Sequence, residues 1–255
     1  MSWEFVALLV AAFGAGLVDA VAGGGGLIQV PALFAALPLE VPATVFGTNK
    51  GSSVFGTANA AWRYARRIAL PWSIALPAAG AAFVFSFSGA ATVSWLPKEV
   101  MRPLILVLLV TVAVYTAWHR DFGVAPVAAP RRGLAPVFLV GAVLGFYDGF
   151  FGPGTGSFLI FAFVRWFGLD FLRASAAAKI VNGSTNLAAL AYFAPSGHVL
   201  WGLALSMAAF NIAGAQVGAR LAIRRGSNFV RGVFLLATVL LIAKFGYDIF
   251  STMVK

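Results

Sequence analysis

Apolar stretches at about 3–22, 24–37, 42–62, 70–91, 100–118, 134–151, 155–168, 172–194, 198–222 and 229–250 follow one another with barely a polar break. A helix needs about 20 apolar residues to cross the roughly 30 Å hydrocarbon core of a bilayer. Inside lipid every backbone polar group must be satisfied, so only helices or closed barrels span it. These runs are continuous in polarity, whereas barrel strands alternate, and a transmembrane β-barrel is set aside on that ground. Charge tells the same story. The chain has 18 Lys+Arg and 8 Asp+Glu in 255 residues, 10% of the total, against about 25% in a soluble domain. Too few charges exist to clothe a water-facing surface. The fold class expected is all-α, a polytopic helical membrane protein.

The net charge of +10 would suggest a nucleic-acid partner in a soluble chain. In a membrane protein it is explained by basic loops that orient the helices, and no nucleic acid is expected. With no cysteine, disulfides, thiolate metal sites and thiol chemistry are excluded. The first basic residue is Lys50, so the opening helix lacks the basic start of a signal peptide and reads as a retained span.

Two stretches are short. Residues 24–37 and 155–168 supply about 21 Å of helix each at ~1.5 Å per residue. Both follow a glycine-rich break, Gly23-Gly24-Gly25-Gly26 in one case and Gly152-Pro153-Gly154-Thr155-Gly156 in the other. The segment from His119 to Gly133, with Pro126, Pro130, Arg131 and Arg132, reads as a linker. The chain is thus expected to divide into a first membrane repeat, 1–118, a cytoplasmic linker, 119–133, and a second membrane repeat, 134–255.

The halves match at a constant offset of 129. Gly16 pairs with Gly145, Asp19 with Asp148, Gly23 with Gly152, Gly25 with Gly154, Lys50 with Lys179 and Ala60 with Ala189. Matches between glycines or alanines are cheap in such a composition. The paired Asp and paired Lys are rare, and carry the inference of duplication. Arg63, Arg66 and Arg67, then Arg120, Arg131 and Arg132, then Arg220, Arg224, Arg225 and Arg231 form three basic clusters. If both short stretches count as crossings, placing all three in the cytoplasm gives five crossings per half, puts both termini in the periplasm and inverts the second repeat. The loop 38–42 has no basic residue, while Arg165 and Arg173 flank its counterpart, as inversion requires.

In each half an Asp ends a long helix, a glycine break follows, and a short helix begins. A helix start offers free N–H groups and the positive end of the dipole to an anion. Inverted repeats with matching broken helices point to a transporter's substrate site; close helix packing is the competing use of such glycines. The charged Asp19, Lys50, Asp148 and Lys179 lie within spans, where such residues mark a polar pathway. The lysines either supply positive charge for an anionic ligand or pair with the aspartates to hold the fold together. The aspartates either carry a coupling proton or pair and cap for purely structural ends. Around the lysines, Thr48 and Asn49 in the first half and Asn182 and Asn186 in the second add donors. Lys179, Asn182 and Asn186 share one helical face. Gly25, Gly26, Gly154 and Gly156 complete the expected substrate-binding set. Ser52, Ser53, Ser184 and Thr185 serve either this face or helix adhesion.

Other signals are weak. Leu27-Ile28 stands where a phosphate-binding loop needs Gly-Lys-[Ser/Thr]. His119 and His198 are isolated, and neither HExxH nor GxSxG occurs, so no enzyme, metal or cofactor is expected. Trp3, Trp62, Trp95, Trp118 and Trp201 fall near span ends as interfacial anchors.

The run Gly16-Leu-Val-Asp19-Ala-Val-Ala-Gly23-Gly-Gly-Gly26-Leu-Ile28, with Pro31 and Gly47-Thr48-Asn49-Lys50, closely resembles the TauE/SafE family. Gly145-Phe-Tyr-Asp148-Gly-Phe-Phe-Gly152-Pro-Gly154-Thr-Gly156, with Lys179, Asn182 and Asn186, is similar to its second repeat. The resemblance covers nearly the whole chain. It implies a bacterial inner-membrane transporter of about eight spans, with members linked to sulfite, sulfoacetate and other organosulfur anions. Ala177-Ala178 replaces a Thr-Ser-like pair common in the second repeat, which leaves the anion open. The reading is a secondary transporter of a small anion working by alternating access, with proton coupling and a homodimer as open expectations. A passive anion channel and a non-transport membrane protein are the alternatives.

Overall fold

The computed structural model describes residues 3–95 and 133–253. The expected span 100–118 and the linker through Arg132, with His119, Trp118, Arg120 and Arg131, lie outside the described residues. Those described form eight helices: α1 (Trp3–Ala22), α2 (Gly26–Ala36), α3 (Pro42–Ala65), α4 (Trp72–Trp95), α5 (Leu134–Phe150), α6 (Thr155–Phe167), α7 (Phe171–Phe193) and α8 (Trp201–Met253). The helices stop where the local chemistry dictates. Pro42 opens α3, where its missing N–H costs nothing. Asp170 caps α7 by accepting from the Arg173 N–H. Left-handed Gly168 (φ 67°) closes α6. The two last stretches expected from sequence run through α8 as two helical parts that meet at Gly226, whose φ of 71° and ψ of −167° are not helical.

Helices α1, α4 and α8 are long and apolar enough to cross a bilayer. Their lipid-facing sides expose Val10, Leu76, Val84 and Leu205. α3 and α7 are different: they carry the polar residues and sit inside, with Thr48, Lys50, Ser52, Ser175, Lys179 and Thr185 all buried. The molecule is thus a helical membrane protein in which apolar helices wrap a polar pair.

The packing is reciprocal. α1 lies most extensively on α8, and α5 on α4. Glycines make many of the close approaches, because in lipid helices adhere largely by close packing. Gly141, Gly145 and Gly149, one turn apart on α5, abut Ala78, Ala82 and Ser86 of α4. Gly214 and Gly218 on α8 abut Phe13 and Leu17 of α1, and Gly16 abuts Asn211. Contacts repeat at the offset of 129: Gly16 on Asn211 corresponds to Gly145 on Ala82, and Gly218 on Leu17 to Gly89 on Phe146. Each involves one helix from either side of the linker. For Gly16 and Gly145 close packing is therefore the observed use.

Candidate functional site

The four intramembrane charges meet at the centre, and they pair crosswise. Lys50 Nζ on α3 donates to Asp148 Oδ2 on α5 at 2.6 Å. Lys179 Nζ on α7 donates to Asp19 Oδ2 on α1 at 2.8 Å. Each half thus gives its Asp to the lysine of the other. A polar chain joins the two pairs: Lys50 Nζ also donates to Asn186 Oδ1 (3.1 Å), Asn186 Nδ2 to Thr57 Oγ1 (3.4 Å), and Thr57 Oγ1 to Asp19 Oδ2 (3.4 Å). The pairs are not equivalent. Lys50 and Asp148 side chains are 3% and 2% exposed, whereas Asp19 keeps 15% against 0% for Lys179.

The glycine breaks bring helix starts to the same place. α1 stops at Ala22 and α2 restarts at Gly26; α5 stops at Phe150 and α6 restarts at Thr155. The turns need positive φ, 76° at Gly23 and 92° at the matched Gly152, which glycine adopts without steric cost. The breaks cross in contact: Gly23 lies against Gly156, and Gly26 against Pro153. Neither break leaves its carbonyls stranded. Tyr64 OH donates to Ala20 O, Ser175 Oγ to Val21 O and Ser157 Oγ to Ala22 O, replacing the bonds a continued helix would have made. On the other side Tyr147 OH donates to Pro153 O, and Thr155 Oγ1 to Gly152 O.

Between these parts is a cavity of about 20 Å³, lined by both aspartates, Lys50, the two breaks and a ring of amides and hydroxyls. That is space for about one water. The four formal charges cancel. The two helix starts add roughly half a positive charge each, so neutralising one carboxylate leaves a cavity that favours an anion. At that size a polyatomic ligand fits only if the helices part.

Most of the expected site residues come together here. Asp19, Gly25, Gly26, Asn49, Lys50, Asp148, Gly156, Asn182 and Asn186 line the cavity, and Lys179 reaches it through Asp19. Asn49 Oδ1 is buried with no partner. Two residues stand apart. The Thr48 hydroxyl accepts the Leu200 N–H and ties α3 to the start of α8. Gly154 is the left-handed N-cap of α6 (φ 87°) but does not line the cavity, while matched Gly25 has an ordinary helical φ of −58°. Ser184 serves adhesion, donating to Ala79 O on α4.

Ser53, left in the sequence between this face and helix adhesion, lines the cavity. Three contributors went unseen. Thr57 also lines the cavity, and the repeat offset would have found it: Ser53 and Thr57 are the counterparts of Asn182 and Asn186, at the same i+3 and i+7 spacing from lysine. Asn211 also lines the cavity, and its Nδ2 donates to Gln29 Oε1 of α2 at 3.0 Å. Their counterparts are Ala82 and Phe158, so the repeat carries no signal for either.

Apolar helices around two interior polar helices, with a doubly ion-paired cavity where two broken helices cross, define a multi-pass membrane protein with a buried charged site. Comparison with known sequences then gives the family. The profile described as Sulfite exporter TauE/SafE matches residues 8–245, and the chain belongs to that family. It is 34% identical over 244 residues to the probable membrane transporter protein YfcA of Escherichia coli K12, covering 96% of this chain and 88% of that protein. It is 37% identical over 237 residues to the probable membrane transporter protein ORF9 of a Sinorhizobium species, covering 92% and 89%. A probable membrane transporter protein of Haemophilus influenzae is 32% identical over 246 residues, covering 94% of each. No solved structure matches the chain.

Proposed function

We propose that this protein is a secondary transporter of a small oxyanion, with sulfite and sulfonates the substrate class, and that Lys50 and Lys179 receive the anion. The observation that carries this is the crosswise pairing of two intramembrane lysines with two aspartates around a cavity at crossed helix breaks. The family name and the relatives' names support transport. In this mechanism the anion takes the place of a carboxylate on its lysine. The freed Asp accepts a proton from the same side, and anion and proton leave together on the other. Because each ion pair joins the two halves, exchanging carboxylate for substrate loosens one half from the other and lets them rock. The reciprocal packing of α1 on α8 and α5 on α4 supports reading the halves as inverted repeats.

The test is uptake of radiolabelled sulfite into proteoliposomes holding the purified protein. Uptake should rise severalfold when a proton gradient runs in the direction of anion movement. Uptake indifferent to the gradient would favour a passive channel, and its absence for sulfite, sulfoacetate and carboxylate anions alike would sink the proposal.

The orientation proposed is cytoplasmic for the C-terminal end of α3 and the arginine-bearing middle of α8 around Gly226, in the inner membrane, with both termini periplasmic. A fluorescent protein fused after Lys255 that matures only in the cytoplasm should then stay dark. Bright fluorescence would reverse the scheme.

A further inference from the structure

Far from the central cavity, a second and much larger recess of about 710 Å³ opens where the end of α3 meets the middle of α8. Its walls are Arg63 in the last turn of α3, Arg66 and Arg67 just beyond that helix, Arg220 and Arg224 from α8, with Trp62 and Ile223. Arg63 is 13 residues beyond Lys50 on one helix, or about 20 Å at ~1.5 Å per residue. The volume is in the roughly 300–1,000 Å³ range of small-molecule sites.

Three observations make this more than a set of orienting loop charges. None of the five guanidinium groups has an ion pair among the described residues, whose salt bridges are Lys50–Asp148, Arg173–Asp170 and Lys179–Asp19. Solvated loop arginines would spread apart to relieve repulsion, but these five converge on one concavity from α8 and the C-terminal end of α3. Two are held in place: Arg66 lies 4.9 Å over the Trp62 ring, and Arg63 Nε donates to Asn59 Oδ1 at 3.4 Å. Finally, the feature is one-sided. The repeat counterparts of Arg63, Arg66, Arg67, Arg220 and Arg224 are Tyr192, Pro195, Ser196, Ala91 and Trp95, none of them charged.

We infer that this recess is a binding site for a phosphate-type oxyanion. Guanidinium forks bind phosphate oxygens two at a time, as they do a carboxylate's two, but five forks exceed what one carboxylate can engage, and a halide offers no fork geometry at all. Half-exposed Trp62 at the rim suits a site at a membrane interface. The ligand chemistry is therefore available from two sources, the headgroup of an anionic phospholipid or a soluble phosphate. A ligand held by both α3 and α8 clamps the first half to the second at this end.

The experiment uses the full chain purified in detergent, with inorganic pyrophosphate as the soluble probe, and nanodiscs of phosphatidylglycerol or phosphatidylcholine as the lipid probe. Calorimetry should show pyrophosphate binding that weakens as salt rises, or native mass spectrometry should show retained phosphatidylglycerol and not phosphatidylcholine. The first result assigns a soluble ligand and the second a headgroup; either supports the site. In both cases the exposed double variant Arg66→Gln/Arg224→Gln should bind at least tenfold more weakly while eluting as a monodisperse species. Lys50→Met/Asp148→Leu should leave this binding unchanged. Failure of both probes to bind overturns the inference. So does binding that survives the arginine changes, or that is lost with the central pair.

Discussion

Lys50→Met is expected to destabilise the protein by about 3–5 kcal/mol, the cost of leaving a buried charge without its partner. Asp148 is 2% exposed and its Oδ2 rests on Lys50 Nζ at 2.6 Å; once the ammonium is gone, no other cation among the described residues reaches it. The neutral Asn186 amide, freed of its contact with Lys50, carries only a dipole. The informative variant is the double one, Lys50→Met/Asp148→Leu. Replacing a buried pair by apolar residues of similar size is often neutral or stabilising, so thermal stability in detergent should return to near the parent value. Anion binding should not return, because half of the positive field at the cavity is lost. A double variant that folds and still takes up sulfite at the parent rate would reduce the pair to a clamp. The equivalent change at Lys179 and Asp19 should cost less stability, since Asp19 is 15% exposed and retains the Thr57 hydroxyl.

The aspartates and lysines were legible because they are scarce: two Asp and two Lys at one offset in an apolar chain demand a polar interior. Their crosswise pairing was not legible. The offset of 129 equates positions but says nothing about which half's carboxylate lies nearest a given lysine, and that depends on how the helices of the two halves interdigitate. The breaks were legible as well, since clustered glycines at matched positions announce backbone that is not helical. Their conformations were less so. Gly25 and Gly154 match in sequence, yet one is helical and the other left-handed, because Pro153 and Thr155 surround the second with different constraints. Thr48 reads like a neighbour of Lys50, but adjacent helix positions point about 100° apart, and two residues before Lys50 the side chain faces Leu200. The arginine recess was half legible: the charge clusters were plain, whereas their convergence needed α3 and α8 side by side.

Gly156→Ala should be damaging where helix propensity alone predicts a gain. In an exposed helix interior this change stabilises by about 1 kcal/mol. Here the new Cβ would stand 2.5 Å from Gly23 Cα and 2.6 Å from Gly23 O, distances that real methyl groups do not adopt. The obstacle is backbone, so no rotamer change relieves it, and the crossed breaks must separate. Overpacking of this kind costs about 1–3 kcal/mol, or roughly 2–12 °C in Tm at ~2–4 °C per kcal/mol. Gly23→Ala meets the same contact from the other side and adds the strain of a left-handed residue, φ 76°, about 1–2 kcal/mol more. Gly80→Ala is the control, on exposed α4 with nothing within 4 Å of its Cβ position; it should be neutral or slightly stabilising. Transport distinguishes site from scaffold. If the crossing of the breaks is where the anion passes, Gly156→Ala should lower sulfite uptake at least tenfold at temperatures where the variant remains folded. A folded Gly156→Ala protein with the parent's uptake and melting temperature would mean that the breaks do not touch in the working transporter, and the site would have to be sought elsewhere along α3 and α7.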